Sequence, residues 1–211
     1  MAKKIGIAAL VLVLLLGGTA AWLWHRLTAL PQWYGSADMI AEDGTPRVDE
    51  DWVRIPSADR QKKGAGTDPG GGDEVVYQLR NPHLRSTKPS PMKRAIKASK
   101  AVYKGGTLEA GAVVNMGDVD IDKLPPKDQK AYRDTIEAFP ALTGRDVYVG
   151  IEGAGRDAEG NVVIGPGTKI RVGDTRYSVR KAAKRLGKSE AALRSQIEAE
   201  LDKLDIDLPK E

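Results

Sequence analysis

Residues 146–179 read DVYVGIEGAGRDAEGNVVIGPGTKIRVGDTRYSV, and this stretch decides the fold class. Apolar residues occupy every second position from Val147 to Ile151, which is the period of a strand with one buried face. Apolar runs at 161–165, 168–173 and 175–179 follow it. The segments GRDAEGN and GD lie between these runs and favour hairpin turns. The stretch therefore predicts consecutive antiparallel strands.

The flanking sequence adds further strands and several helices. We expect strands at 74–79 and 111–116, and a helix over 125–140 that begins at a proline. The run MKRAIKASKAVYKGG, residues 92–106, predicts a helix that two glycines end. With a helix pair at the C-terminus, the expected fold is α+β. It has a small antiparallel sheet, helices on one face and a C-terminal helical hairpin.

The C-terminal helix pair has a recognisable pattern. In SVRKAAKRLGKSEAALRSQI, residues 178–197, Gly187 supplies a turn, Ser189 caps the second helix and Leu193 holds the pair together. This stretch resembles a bacterial helix–turn–helix, and the resemblance implies DNA binding. It departs from the family at Gln196, where an apolar residue is usual. The second helix is rich in acidic residues, which argues against contacts with phosphate. We expect a structural hairpin that packs on the sheet.

The N-terminus contains a candidate membrane anchor. Residues 5–24 carry no charge, and twenty helical residues at about 1.5 Å each span about 30 Å, the thickness of the hydrocarbon core of a bilayer. Lys3 and Lys4 precede the run, so the positive-inside rule keeps residues 1–4 in the cytoplasm and the rest of the chain outside. Small residues at 18–21 leave a cleaved signal peptide as the alternative, which gives the same location. Aromatic residues expected at the membrane interface are Trp22, Trp24, Trp33 and Tyr34.

The segment after the anchor is polar. Residues 25–73 are expected to be an interfacial segment and a flexible tether, because glycine, proline and mixed charge dominate them. Within it, Trp52, Val53 and Ile55 form a short apolar island that could dock on the folded part or on a partner. The folded domain is expected at 74–208.

The predicted helix at 92–106 is strongly basic. A solvated helix face is one interpretation, and contact with anionic lipid or cell-wall polymer is the other. The candidate residues for that contact are Lys93, Arg94, Lys97, Lys100 and Lys104.

The chain offers little for catalysis or metal binding. It has no cysteine, which excludes disulfides and thiolate ligands, and its two histidines are His25 and His83. The run from Asp118 to Gln129 fails the calcium-loop pattern, because Lys123 and Gln129 stand where glycine and glutamate are needed. We predict no catalytic residue, no cofactor and no metal.

Together these features predict a non-enzymatic protein of the bacterial inner membrane with a single span. Its bulk would lie in the periplasm or otherwise outside the cytoplasm, where it would bind or scaffold another envelope protein. The alternatives are a module for anionic lipid or cell-wall polymer, and a membrane-tethered regulator if the topology is inverted. The net charge of +4 is small for a nucleic-acid-binding chain of 211 residues.

Overall fold

The computed structural model describes residues 25–56, 75–85, 94–202 and 208–209. The predicted anchor at 5–24 lies outside these residues, as do Trp22, Trp24 and Lys93. Among the helices that the structure describes, none combines the length and the apolar character needed to cross a bilayer.

The described chain forms an antiparallel sheet of eight strands with helices, so the predicted α+β class is confirmed. The strands follow the order β1-β2-β3-β4-β5-β7-β8, and the short β6 pairs with the end of β5. The strands are β1 Val53–Ile55, β2 Val76–Arg80, β3 Ile96–Lys104, β4 Thr107–Val114, β5 Val147–Arg156, β6 Val162–Val163, β7 Lys169–Val172 and β8 Thr175–Ser178.

The helix predicted at 92–106 is wrong, because residues 96–104 are strand β3 in the centre of the sheet. Gly105 and Gly106, which were expected to end a helix, have φ of 53° and 71° and form the tight turn into β4. Two consecutive residues with positive φ are what a two-residue hairpin turn needs. Lysine and alanine are good helix formers, but helix propensity is a weak local effect. Pairing with β2 and β4 on both sides outweighs it.

Three α-helices pack on one face of the sheet. They are α1 Pro126–Ala138, α2 Val179–Arg185 and α3 Glu190–Asp202. Helix α1 begins at Pro126, where the missing N–H costs nothing, and the Ser178 hydroxyl caps α2 by accepting the Lys181 N–H at 3.3 Å. Helices α2 and α3 contact each other, as the predicted hairpin requires.

The apolar core on this helix face consists of two clusters. The first lies beneath α2 and α3 and includes Leu108 and Leu193. The second lies near the C-terminal end of α1 and includes Phe139 and Val147. Tyr177 packs against both clusters.

Residues 25–56, for which composition predicts a flexible tether, lie against the sheet where the structure describes them. The Asp174 N–H donates to the Arg26 carbonyl at 2.6 Å, and Leu27 packs on the second cluster. Gly173 has φ of 57°, and a Cβ there would collide with the backbone oxygens of residues 26 and 27. This contact therefore depends on a glycine in the β7–β8 turn.

A buried ionic cluster fixes residues 38–49 on the face of the sheet away from the helices. Arg80 of β2 donates from Nε and Nη2 to the Asp49 carboxylate at 2.7 and 2.9 Å, and from Nη1 to Asp38 at 3.0 Å. Few apolar residues take part in these contacts. The polar composition of the segment therefore suggests a tether even though the segment is docked.

Candidate functional site

The helix face of the sheet contains a half-open cavity of about 420 Å³. Its floor consists of the middle of β3, β4 and β5, and the side chains that β4 turns to the cavity are short. The floor residues include Ala101, Ala110, Gly111, Ala112 and Gly150. The side chains of Ala101, Ala110 and Ala112 are too short to reach the helix layer, and space therefore remains between the two apolar clusters.

The helices supply the walls. Leu193, Ile197 and Leu201 recur every three or four residues along α3, so they lie on one face of that helix and line the cavity. Across from them stand Thr135 of α1 and Phe139, which directly follows α1. The cavity is therefore lined by both helical parts of the domain.

The floor is accessible in a place where a sheet is normally covered. Ala110 and Ala112 lie on the central strand β4 and are half-buried, whereas Leu108 and Val113 on the same strand are 0% exposed. Partial exposure in the middle of an eight-stranded sheet indicates an opening that a ligand could fill.

Several polar side chains on the lining already make hydrogen bonds within the protein. His83 Nδ1 and Ser99 Oγ share a hydrogen bond of 2.6 Å at one side. The Thr135 hydroxyl donates to the Ala131 carbonyl at 2.7 Å, and Gln196 Oε1 accepts from Lys188 Nζ at 2.5 Å. The cavity therefore offers mainly apolar contacts. Its volume falls within the range of about 300–1,000 Å³ that is usual for small-molecule sites.

The opposite face of the sheet carries a charged cluster beside Tyr148. Arg171 lies over the Tyr148 ring at 4.9 Å, and Glu152 binds Arg171 at 3.4 Å and Arg176 at 2.5 Å. Burial raises the pKa of Tyr148 to about 12. Desolvation, followed by repulsion from Glu152, raises the pKa of Glu109. Because each of these arginines binds a carboxylate, we interpret the cluster as a structural ion-pair network.

Two of the residues expected at a membrane interface belong to this face. The Trp33 ring makes an edge-to-face contact with the Tyr148 ring, with centroids 6.0 Å apart. The Tyr34 hydroxyl donates to Asp146 Oδ2 at 2.7 Å, and burial together with this bond raises the pKa of Tyr34 to about 12. These contacts give Trp33 and Tyr34 a place in the fold, and their contact with a membrane stays a prediction.

Four of the five basic residues predicted to meet an anionic surface are described, and they lie on or beside strand β3. Lys97 binds Asp118 at 2.6 Å, and Lys100 lies 3.8 Å from Asp38 with its side chain only 14% exposed. Arg94 is exposed, and Lys104 ends the strand. They do not form the basic helix face that the sequence suggested.

The apolar island within the predicted tether docks on the domain itself. Val53 and Ile55 belong to β1, the edge strand that pairs with β2. The Trp52 ring lies 6.4 Å from that of Tyr103 and packs against the first cluster. The sequence left open whether this island docks on the folded part or on a partner, and the contacts observed are with the folded part.

Metal binding has no support in the described residues, where no group of three or more histidine or acidic side chains could hold an ion. Asp118 and Asp120 of the acidic run are bound by Lys97 and Lys123.

No family model, curated protein or solved structure matches this chain. Inference about function therefore depends on the cavity and on the sequence of the N-terminus.

The cavity itself was not predicted. Its only signal is the small-residue run AGA at 110–112 within a strand pattern. Such a run shows that one strand lacks bulky side chains, but it does not show whether a neighbouring helix fills the space.

Proposed function

We propose that this protein is a single-pass, membrane-anchored binding protein of the bacterial cell envelope. Its folded domain lies outside the cytoplasm, and its binding site is the cavity between the sheet and the helices. The half-open apolar cavity over the central strands is the observation that carries this proposal. The uncharged run at 5–24, preceded by Lys3 and Lys4, supports the location.

The hydrogen bonds made by the polar side chains of the lining favour binding over catalysis. A general acid, general base or nucleophile must reach the reacting atom of a substrate at hydrogen-bond distance. Here Thr135 is bound to its own helix and Gln196 to Lys188. His83 and Ser99 share a hydrogen bond, as a general base and a hydroxyl nucleophile do, but both residues are buried at one side of the cavity, at 8% and 7% exposed. The lining is suited to enclosing an apolar group, and we propose a non-enzymatic role as a binding or scaffold protein for an envelope partner.

The start of the described chain supports a position of the domain close to the bilayer. Residues 25–27 are helical, and Arg26 already contacts the β7–β8 turn through Asp174. If residues 5–24 span the membrane, the sheet follows the span almost directly. The domain would then lie at the membrane surface instead of on a long tether.

Two single-cysteine variants test the topology, because the native chain has no cysteine. Arg180→Cys lies at an exposed position on α2, and Lys3→Cys lies before the predicted span. With a membrane-impermeant maleimide, we expect Arg180→Cys to be labelled in cells whose outer barrier has been opened. Lys3→Cys should be labelled only after the inner membrane is lysed. The reverse pattern would overturn the proposal and make DNA binding by residues 178–197 the next hypothesis.

Binding of an anionic polymer or lipid through β3 is the weaker alternative. Lys97 and Lys100 lie near carboxylates of this chain, so an anionic partner would have to compete with Asp118 and Asp38. The acidic residues of α3, which include Glu190 and Glu198, likewise do not favour contact with nucleic acid.

A further inference from the structure

We propose that the cavity holds a hydrocarbon chain of a membrane lipid. This inference depends on the proposed function, because it names the ligand class of the same site. It follows from the chemistry of the lining, from the shape of the cavity and from the position of the domain relative to the predicted span.

The lining selects an occupant with few polar groups. A peptide segment has a donor and an acceptor at almost every residue, and burying them without partners is costly. The walls present Leu193, Ile197 and Phe139, and the floor presents alanines together with valine and isoleucine side chains of β5. A hydrocarbon chain needs no hydrogen bonds and gains free energy by leaving water. It therefore fits this lining better than a peptide does.

The shape of the cavity also favours a narrow apolar ligand. Its volume of about 420 Å³ is near the lower end of the range for small-molecule sites. Leu186 and Tyr177 pack against both apolar clusters and so connect the two ends of the core on the side of β8 and α2. The space between the clusters is thus bounded by packed side chains, and a flexible single chain can adapt to it.

The bilayer supplies such ligands close to the site. The β7–β8 turn touches Arg26, immediately after the predicted span, and Ile170 and Val172 of β7 line the cavity. One strand thus contributes to the cavity and leads into the turn that meets the start of the described chain. A lipid chain would have a short path from the membrane to this space.

The experiment uses the full chain in vesicles that contain a phospholipid with a photoactivatable diazirine on one acyl chain. After irradiation, adducts are mapped by mass spectrometry. We expect adducts within 108–114 on β4 or 190–202 on α3, in addition to any in 5–24. A parallel arm uses a diazirine fatty acid, which separates a phospholipid source from a free fatty acid. Labelling by the fatty acid alone would overturn the membrane-lipid source.

Ala112→Leu tests whether the labelled lipid chain lies in the cavity, and Ala191→Leu is the control variant. Ala112 lies on the cavity floor, whereas Ala191 is exposed on α3 and is not among the lining residues. We expect Ala112→Leu to lose at least nine-tenths of the adducts on β4 and α3, and Ala191→Leu to keep them. Because Ala112 adjoins empty space, the substitution should leave the unfolding midpoint unchanged or raise it. A lowered midpoint would contradict the cavity itself.

Two further results would overturn the inference. One is that adducts occur only within 5–24, and the other is that Ala112→Leu folds normally but is labelled like the native chain. Neither result depends on the cysteine-labelling pattern that tests membrane topology. Failure of the lipid proposal is therefore distinguishable from failure of the proposed location.

Discussion

Replacing Arg80 with methionine should strongly destabilise the domain, because this arginine joins the N-terminal segment to the sheet. Its side chain is 5% exposed and that of Asp49 is 6% exposed. Two parallel hydrogen bonds connect them, and a third bond from Arg80 reaches Asp38. Methionine has a similar length and no charge, so the substitution leaves the Asp49 carboxylate buried without its guanidinium.

The expected loss is about 3–5 kcal/mol, the usual result of removing one partner from a buried ion pair. It can be measured by urea unfolding of the full chain in mild detergent, followed by tryptophan fluorescence. Arg180→Met is the control, since Arg180 is exposed on α2 and its removal should cost less than about 0.5 kcal/mol. If Arg80→Met lost less than about 1 kcal/mol, residues 37–50 would not be docked as described.

Substitutions at four further positions test other contacts. Tyr34→Phe and Tyr148→Phe should each remove one of the tyrosines that ionise at about 12, as followed by tyrosinate absorbance. Both pKa values lie above the ordinary 10.0, so their contribution to stability is present below pH 10.0 and is lost as the pH rises through about 12. An unchanged titration curve would contradict these assignments. Gly111→Ala would place a Cβ 2.5 Å from Cζ of Tyr148, and we expect a loss of about 1–3 kcal/mol in the free energy of unfolding. No measurable loss would show that the ring moves away freely. Ser178→Ala removes the cap of α2 and should cost about 1 kcal/mol in the same assay, whereas a Ser178→Asp variant should retain most of that stability.

The sequence predicts those parts of the fold that depend on local periodicity. Strand β5 alternates apolar and other residues from Val147, and hairpin turns separate it from the shorter strands that follow it. Helix α1 begins at a proline and has an apolar side that includes Tyr132 and Ile136. In both cases a few neighbouring residues determine the structure.

The wrong or missing predictions concern structure that is determined by residues far apart in the chain. Strand β3 has a composition typical of a helix, and only its pairing with β2 and β4 makes it a strand. The N-terminal segment docks through Arg80, which lies 31 residues beyond Asp49 and 42 beyond Asp38. No local pattern shows that these three charges meet. The cavity was missed for the same reason, since its floor and walls come from strands and helices far apart in the chain.

The most direct test of the proposed binding site compares two adjacent positions on β4. Ala112 faces the cavity and is half-buried, whereas Val113 faces the other way and is 0% exposed. In the cysteine-free chain, the maleimide reaction rates of Ala112→Cys and Val113→Cys can be measured separately under native conditions. We predict that Ala112→Cys reacts at least tenfold faster than Val113→Cys, and that a phospholipid supplied in vesicles slows only Ala112→Cys. Equal rates, or a rate at Ala112→Cys that lipid does not change, would contradict an open apolar site that binds a lipid chain.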